Sequence, residues 1–163
     1  MGNYTFQWRQ AFRAFPEMLE GALVTLQISI LSMLIGVTIA VLLAVGRDAK
    51  SRWLRAPATA WVEVARNTPA LFQIYMAHFG LGSFGIYLSP YAALLAGIAF
   101  NNAGYLCETF RGAMRAIPDT QLRAGRSLGM GQAKAFRLII VPQMFRISFL
   151  PTTNQMIWAI LMT

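Results

Sequence analysis

The sequence holds 163 residues, 56% of them hydrophobic and 12% charged, with a formal net charge of +8 and a mean hydropathy of +0.50. A soluble domain carries about 25% charged residues, so this composition excludes an ordinary water-soluble globule and points to a membrane protein. The positive balance calls for no nucleic acid, because cytoplasmic loops of membrane proteins collect Lys and Arg.

The chain opens on an amphipathic stretch. Over residues 3–20, Trp8, Phe12 and Phe15 interleave with Arg9, Arg13, Glu17 and Glu20, which reads as an interfacial segment. From Gly21 to Gly46 there is no charge, and about 20 such residues suffice to cross the hydrocarbon, so 21–46 is the first predicted transmembrane helix. It is too long for the apolar core of a signal peptide, and no small-residue cleavage pattern follows it. Thr25, Ser29, Ser32, Gly36 and Thr38 would allow another helix to approach closely, although ordinary membrane helices also carry such residues.

Arg47, Lys50, Arg52 and Arg55 face Asp48 alone, which makes Arg47–Arg55 a cytoplasmic loop. Glu63 and Arg66 follow, three residues apart on one helical face, where they could pair near the cytoplasmic end of the next span. Pro69 marks a break between an interfacial turn and the span proper, with the second span at 67–88. The uncharged loop Gly80–Pro90 belongs on the outer side, and a third span occupies 91–110. His78, the only histidine, reads as a packed or interfacial residue, and Cys107, the only cysteine, can form no intrachain disulfide or thiolate cluster. No catalytic residue and no metal ligand is assigned.

Between Arg111 and Arg146 the chain carries seven Lys or Arg residues and one acid, Asp119, so this side is cytoplasmic and the N-terminus lies outside. Within it, residues 117–141 divide at glycine. Pro118 with Asp119 or Thr120 can start a helix, Gly129 is a left-handed stop, and Gln132–Ile140 suits a second short helix. A fourth span starts within 147–163, its apolar run opening at Met156 and ending about eight residues later at Thr163, far short of a crossing. The expectation is a fragment of an all-α integral membrane protein.

Taken together, these motifs resemble the permease subunits of ABC importers for polar amino acids, the histidine and glutamine type. That family's cytoplasmic signature is E-A-A, three residues, Gly, nine residues, then I-x-L-P. Here the same spacing reads Arg123, Ala124, Gly125, then Gly129, then Ile139, Val141 and Pro142. Upstream, Tyr105, Glu108, Arg111 and Gly112 are similar to Y-x-x-E-x-x-R-G, and Ile117, Pro118 and Gln121 to I-P-x-G-Q. Arg66, Thr68, Pro69, Leu71 and Gln73 are similar to R-x-T-P-L-L-x-Q. Pro142, Gln143, Arg146, Pro151, Asn154 and Gln155 are similar to P-Q-x-x-R and P-x-x-x-N-Q.

The resemblance implies a type I ABC importer transmembrane domain of about five transmembrane helices, three complete here plus the start of a fourth, with a cytoplasmic coupling-helix pair. It implies coupling through Arg123, Ala124, Gly125, Gly129, Ile139 and Pro142 to a separate ATPase dimer that binds ATP and Mg, so no cofactor is expected in this chain. That division of labour agrees with the absence of a G-x-x-x-x-G-K-[ST] loop. A second permease subunit, an extracytoplasmic amino-acid-binding protein and the bacterial inner-membrane bilayer complete the implied partners.

Two departures stand out. The signature glutamate is Arg123 and its second alanine Gly125, and the family's K-D-T positions are Leu161, Met162 and Thr163, which favours a heterodimer whose other subunit supplies the missing charges. A cation in the first turn of a helix would be unfavourable by roughly 0.3 to 1 kcal/mol, so Arg123 should have an external partner. For the transport path, Gln73, Asn101, Asn102, Tyr105 and Glu108 are candidates, with Asn102, Tyr105 and Glu108 on one stripe. That stripe could meet an amino acid's ammonium and carboxylate, or simply hydrogen-bond neighbouring helices. The alternatives from other classes are a small channel or membrane scaffold without nucleotide coupling, and a membrane-anchored DNA-binding regulator.

Overall fold

The computed structural model describes residues 8–163, and among them every regular element is helical. The first helix, α1, runs from Trp8 to Arg47 over 40 residues. At 1.5 Å per residue it is roughly 60 Å long, about twice the hydrocarbon thickness. By length and apolar composition it is the one described helix that could cross a membrane on its own. The expected division between an interfacial segment at 3–20 and a span at 21–46 is therefore not a break in the backbone, since the helix is continuous from Trp8, while residues 3–7 lie outside the described part.

The buried residues of α1, among them Ile28, Ser29, Ser32, Gly36, Ala40 and Ala44, recur every three or four positions and form one stripe. That stripe lies on α4. A Cβ at Gly36 would stand 2.6 Å from Asn102 Cβ, so glycine is what lets the two backbones come this close. Thr38, expected among the contact residues, is exposed, and its hydroxyl donates back to Leu34 O at 2.8 Å.

Helix resumes at Arg52, so the loop predicted at Arg47–Arg55 is shorter than expected. α2 (Arg52–Asn67) buries Ala58, Val62 and Ala65. The break expected at Pro69 is present: Thr68 (φ −117, ψ 143) and Pro69 (φ −60, ψ 137) are both extended, because the proline ring disfavours helix in the residue before it. α3 (Ala70–Tyr75) continues as a π-helical turn (Met76–Gly80) and a 3-10 turn (Leu81–Phe84). This run is shorter than the about 20 residues of a crossing, so the segment predicted as one span at 67–88 is a broken helix that needs α2 to complete its length.

α4 (Pro90–Arg115) extends the predicted third span at its C-terminal end. Ser89 caps it, its hydroxyl accepting from the Ala92 N–H at 3.2 Å, and Pro90 occupies the first turn, where no N–H is needed. α4 is the central helix, in contact with α1, α2, α3 and α7. One apolar cluster joins Met33, Ala40 and Ala44 of α1 to Val62 of α2 and Leu106, Cys107 and Phe110 of α4. A second joins Ile28, Ile98 and Ala159. Outside these clusters the helices show water or lipid large apolar side chains, Leu23, Leu34, Leu42 and Val45 on α1 and Phe149 and Leu150 on α7 among them.

α5 (Asp119–Ser127) and α6 (Gln132–Ala135) flank the glycine turn. The second short helix predicted from Gln132 does not stop at Ile140. It passes through a π-helical turn (Phe136–Ile140) directly into α7 (Val141–Leu161), without a new start near 147. Pro142 sits in the first turn of α7, and the wider turn before it gives its ring room that a regular helix would deny.

Candidate functional site

Where α3 begins, its polar side chains meet those of α4. Gln73 is buried, and its amide nitrogen donates to Ala65 O at 2.9 Å, Thr68 O at 3.1 Å and Thr68 Oγ1 at 2.8 Å. Ala65 O is left without its helical donor because Pro69 has no N–H, and the Thr68 hydroxyl itself donates to Val64 O at 2.7 Å. Asn101 Nδ2 donates to Ala65 O and to Gln73 Oε1, both at 3.2 Å, so the lattice ties α2, α3 and α4 together. Asn101 Oδ1 is buried and has no hydrogen-bond partner among the described residues. Asn101 also lines a cavity of about 370 Å³, walled further by Thr68, Pro69, Ala70, Tyr105, Gln155 and Trp158.

The five path candidates therefore separate. Asn101 and Tyr105 line the cavity. Gln73 stands behind Asn101 and orients it. Asn102 is fully buried against α1, where Gln155 Nε2 donates to its Oδ1 at 3.0 Å. Glu108 is in a different environment altogether, one turn nearer the end of α4. Its Oε1 accepts from Arg111 Nη1 at 2.9 Å and from Arg47 Nη1, and Arg66 Nη1 lies 3.8 Å from its Oε2. Arg111 Nη2 in turn donates to Asp48 at 3.0 Å, and Arg47 Nη2 lies 3.9 Å from Glu63. Three guanidiniums thus meet three carboxylates, Glu63, Glu108 and Asp48, across α1, α2 and α4. Such neutrality keeps the cost of burying Arg111 bearable.

The pair expected between Glu63 and Arg66 does not form. Glu63 turns to Arg47 and to the Asn67 amide, whereas Arg66 reaches Glu108 and lies 5.8 Å from the Tyr105 ring centroid. Helical spacing made the pair possible, but α1 and α4 offer better partners. Thr68, Gln155 and Trp158 are cavity residues that the candidate set lacked, although Thr68 and Gln155 lie in the motifs already quoted.

In the basic block, α5 ends as its glycine predicts. Gly129 has φ +81, its N–H bonds Arg126 O at 3.0 Å, and the Met130 N–H bonds Gly125 O at 3.2 Å, a paired left-handed termination. Gly125 is buried, and a Cβ there would stand 2.6 Å from Ile139 Cδ1 and 3.3 Å from Ala135 Cβ. The departure from alanine at this position is thus a matter of how closely α5 lies on α6. Gln143 of α7 donates to Gln121 of α5, which fixes the hairpin at its other end. Arg123 and Ala124 are exposed, Ile139 is half-buried and Pro142 exposed. Arg123 is not in the first turn: α5 opens at Asp119, an acid well placed for the helix dipole, so the unfavourable cation predicted there is absent.

Residues 36–163 match the family model described as binding-protein-dependent transport system inner membrane component. The chain belongs to that family. It is 34% identical over 152 residues, 93% of its length, to the probable amino-acid ABC transporter permease protein YckA of Bacillus subtilis, covering 67% of that protein. It is 33% identical to the octopine transport system permease protein OccM of Rhizobium radiobacter, covering 59% of it. To the glutamine transport system permease protein GlnP of Escherichia coli it is 31% identical, covering 72%. The chain thus spans roughly three fifths to seven tenths of these relatives. A crystal structure of an amino acid ABC transporter with histidines superposes with a TM-score of 0.86 at 28% identity, over 96% of this chain and 73% of the other. The fold of this family member is accordingly that of the type I importer transmembrane domain.

Proposed function

We propose that the chain is a permease subunit of an ATP-driven importer for polar amino acids. The observation that carries the reading is the cavity wall, where Asn101 stands with Tyr105, Gln155 and Trp158, and where the buried Asn101 Oδ1 has no partner among the described residues. An unpaired buried acceptor is costly unless something occupies it part of the time, and an amino acid's ammonium is a strong donor. Aromatic faces at Tyr105 and Trp158 add attraction for a cation. In this reading α5, the Gly129 turn and α6 dock on a separate ATPase dimer that binds ATP and Mg, and a binding protein delivers substrate from outside. A second permease subunit completes the path, a heterodimer being favoured because Leu161 and Met162 stand where the resemblance puts a Lys and an Asp.

The mechanism follows from rigid parts. Closure of the ATPase dimer moves the coupling hairpin, and because α6 is continuous through the π turn with α7, the movement reaches Gln155 and Trp158 at the cavity. α4 is held to α1 and α2 by the ion cluster, so α7 and α4 shift relative to each other across the cavity.

The test is transport in proteoliposomes holding the complete importer and its binding protein. Asn101→Leu should depress amino-acid uptake at least tenfold while the ATPase remains bound. Normal uptake by that variant, or an ATPase whose rate ignores the permease, would sink the reading and favour a channel or scaffold. Orientation has its own test: cysteines at Ser83 and Ser127, without Cys107, should react with an impermeant reagent from opposite sides, Ser83 from outside.

A further inference from the structure

The acid and the cations around the α1–α2 turn are used unequally. Asp48 is turned onto Arg111 and Arg47 is taken up by Glu108 and Glu63. Lys50, Arg52 and Arg55 remain exposed, and among the described residues no acid pairs with them. Between them Trp53 is 91% exposed, an unusual state for a large aromatic ring except at a membrane interface.

α2 has a buried row, Ala58, Val62 and Ala65, and helical spacing puts Trp53, Ala60 and Val64 in an exposed row on the opposite side. Val64 opens into an apolar groove of about 460 Å³ between α2–α3 and α4, walled further by Phe72, Met76, Ala96 and Phe100. From Arg52 to Val64 the helix rises roughly 18 Å, close to the about 15 Å of one hydrocarbon leaflet. A basic head joined to an apolar track of that length matches an amphiphile.

We propose that this surface seats one anionic phospholipid. Its headgroup lies on Lys50, Arg52 and Arg55 with Trp53 at the interface, and an acyl chain follows Ala60 and Val64 into the groove. The inference rests on the membrane reading of the chain and is independent of what is transported. The unpaired cations decide against a zwitterionic lipid, since each Lys or Arg near an anionic surface strengthens binding about fivefold.

The experiment is native mass spectrometry of the complete transporter, delipidated and titrated with phosphatidylglycerol or phosphatidylcholine in detergent. Phosphatidylglycerol should be retained preferentially, and K50Q/R52Q/R55Q should weaken its retention about a hundredfold, the product of the three charges. Trp53→Ser, with every charge in place, should weaken it several-fold, which separates a seated lipid from diffuse attraction. Equal retention of both lipids, or wild-type retention by the triple variant, overturns the proposal. So does efficient crosslinking of Val64→Cys to a neighbouring protein chain in native membranes, because the row would then be a protein interface.

Discussion

Two arginine-rich regions of this chain share a side of the membrane in the sequence reading, yet they are built on opposite principles. Around the ends of α1 and α4, Arg47, Arg66 and Arg111 are consumed by Glu63, Glu108 and Asp48 of the same chain. In the hairpin of α5 and α6, Arg123, Arg126, Lys134 and Arg137 are exposed, and among the described residues no carboxylate pairs with them. The first arrangement fixes three helices to one another. The second leaves charge for another surface. Net charge alone does not separate a structural cation from one available to a partner; the location of the acids does.

The contrast can be broken most strongly at Arg111, whose side chain is only 10% exposed. Arg111→Gln leaves Glu108 and Asp48 facing each other without their shared cation, and removing one member of a buried ionic group costs about 3 to 5 kcal/mol. Thermal unfolding in detergent should register a loss near the lower bound, because Asp48 is half-exposed and can turn to water. Asp48→Asn should cost less than about 1 kcal/mol for the same reason. Arg126→Gln, in the hairpin, should stay within about 0.5 kcal/mol of wild type. Equal melting of the Arg111 and Arg126 variants would erase the distinction.

Gly129 sharpens the comparison from the hairpin side. Its φ of +81 lies in the left-handed region, where a β-branched side chain costs roughly 1 to 2 kcal/mol. Among the described residues nothing stands within 4 Å of a Cβ there, so the penalty is backbone strain and not a clash. Gly129→Val should leave the α1–α2–α4 cluster and membrane insertion intact while uncoupling ATP hydrolysis from uptake. Gly129→Asn, which tolerates the left-handed region, should recover much of the coupling. Full transport by the valine variant would remove the turn from the coupling pathway.

These differences also mark what the sequence made legible. The Gly129 stop and the Pro69 break were readable because each depends on local backbone chemistry within a few residues. The Glu63 and Arg66 partners were not, since a 3.6-residue period reports which side chains share a face and nothing about the charges on the helix across from it. Of the polar residues picked out on α4, Asn101 and Tyr105 line the cavity, whereas spacing alone grouped Asn102, Tyr105 and Glu108. Residues three apart drift round a 3.6-residue helix by about 60° per step, so Asn102 lies under Gly36 while Glu108 meets the arginines. The run from Gln132 into α7 was hidden by Pro142, which reads as a helix breaker unless a wider turn precedes it.

Arg123 carries the smallest expected effect on the fold and the most informative one on assembly. It is the fifth residue of α5, four after Asp119, a spacing at which opposite charges favour a helix by at most about 0.2 to 0.5 kcal/mol, less here because the two form no ion pair. Arg123→Glu, which restores the residue of the resembled signature, replaces that attraction with a repulsion of similar size, so melting should shift little. If the hairpin docks on an acidic partner surface, the change there is larger, because like charges brought together across an interface can cost several kcal/mol. Co-purification with the ATPase should therefore weaken at low salt and recover as the Debye length falls from about 10 Å at 0.1 M toward about 3 Å at 1 M. Recovery with salt is what separates charge repulsion from a misfolded hairpin, which salt would not repair. If the variant assembles like wild type across the whole series, Arg123 is a solvated cation, and the exposed charge that the hairpin offers to a partner must reside in Arg126, Lys134 and Arg137.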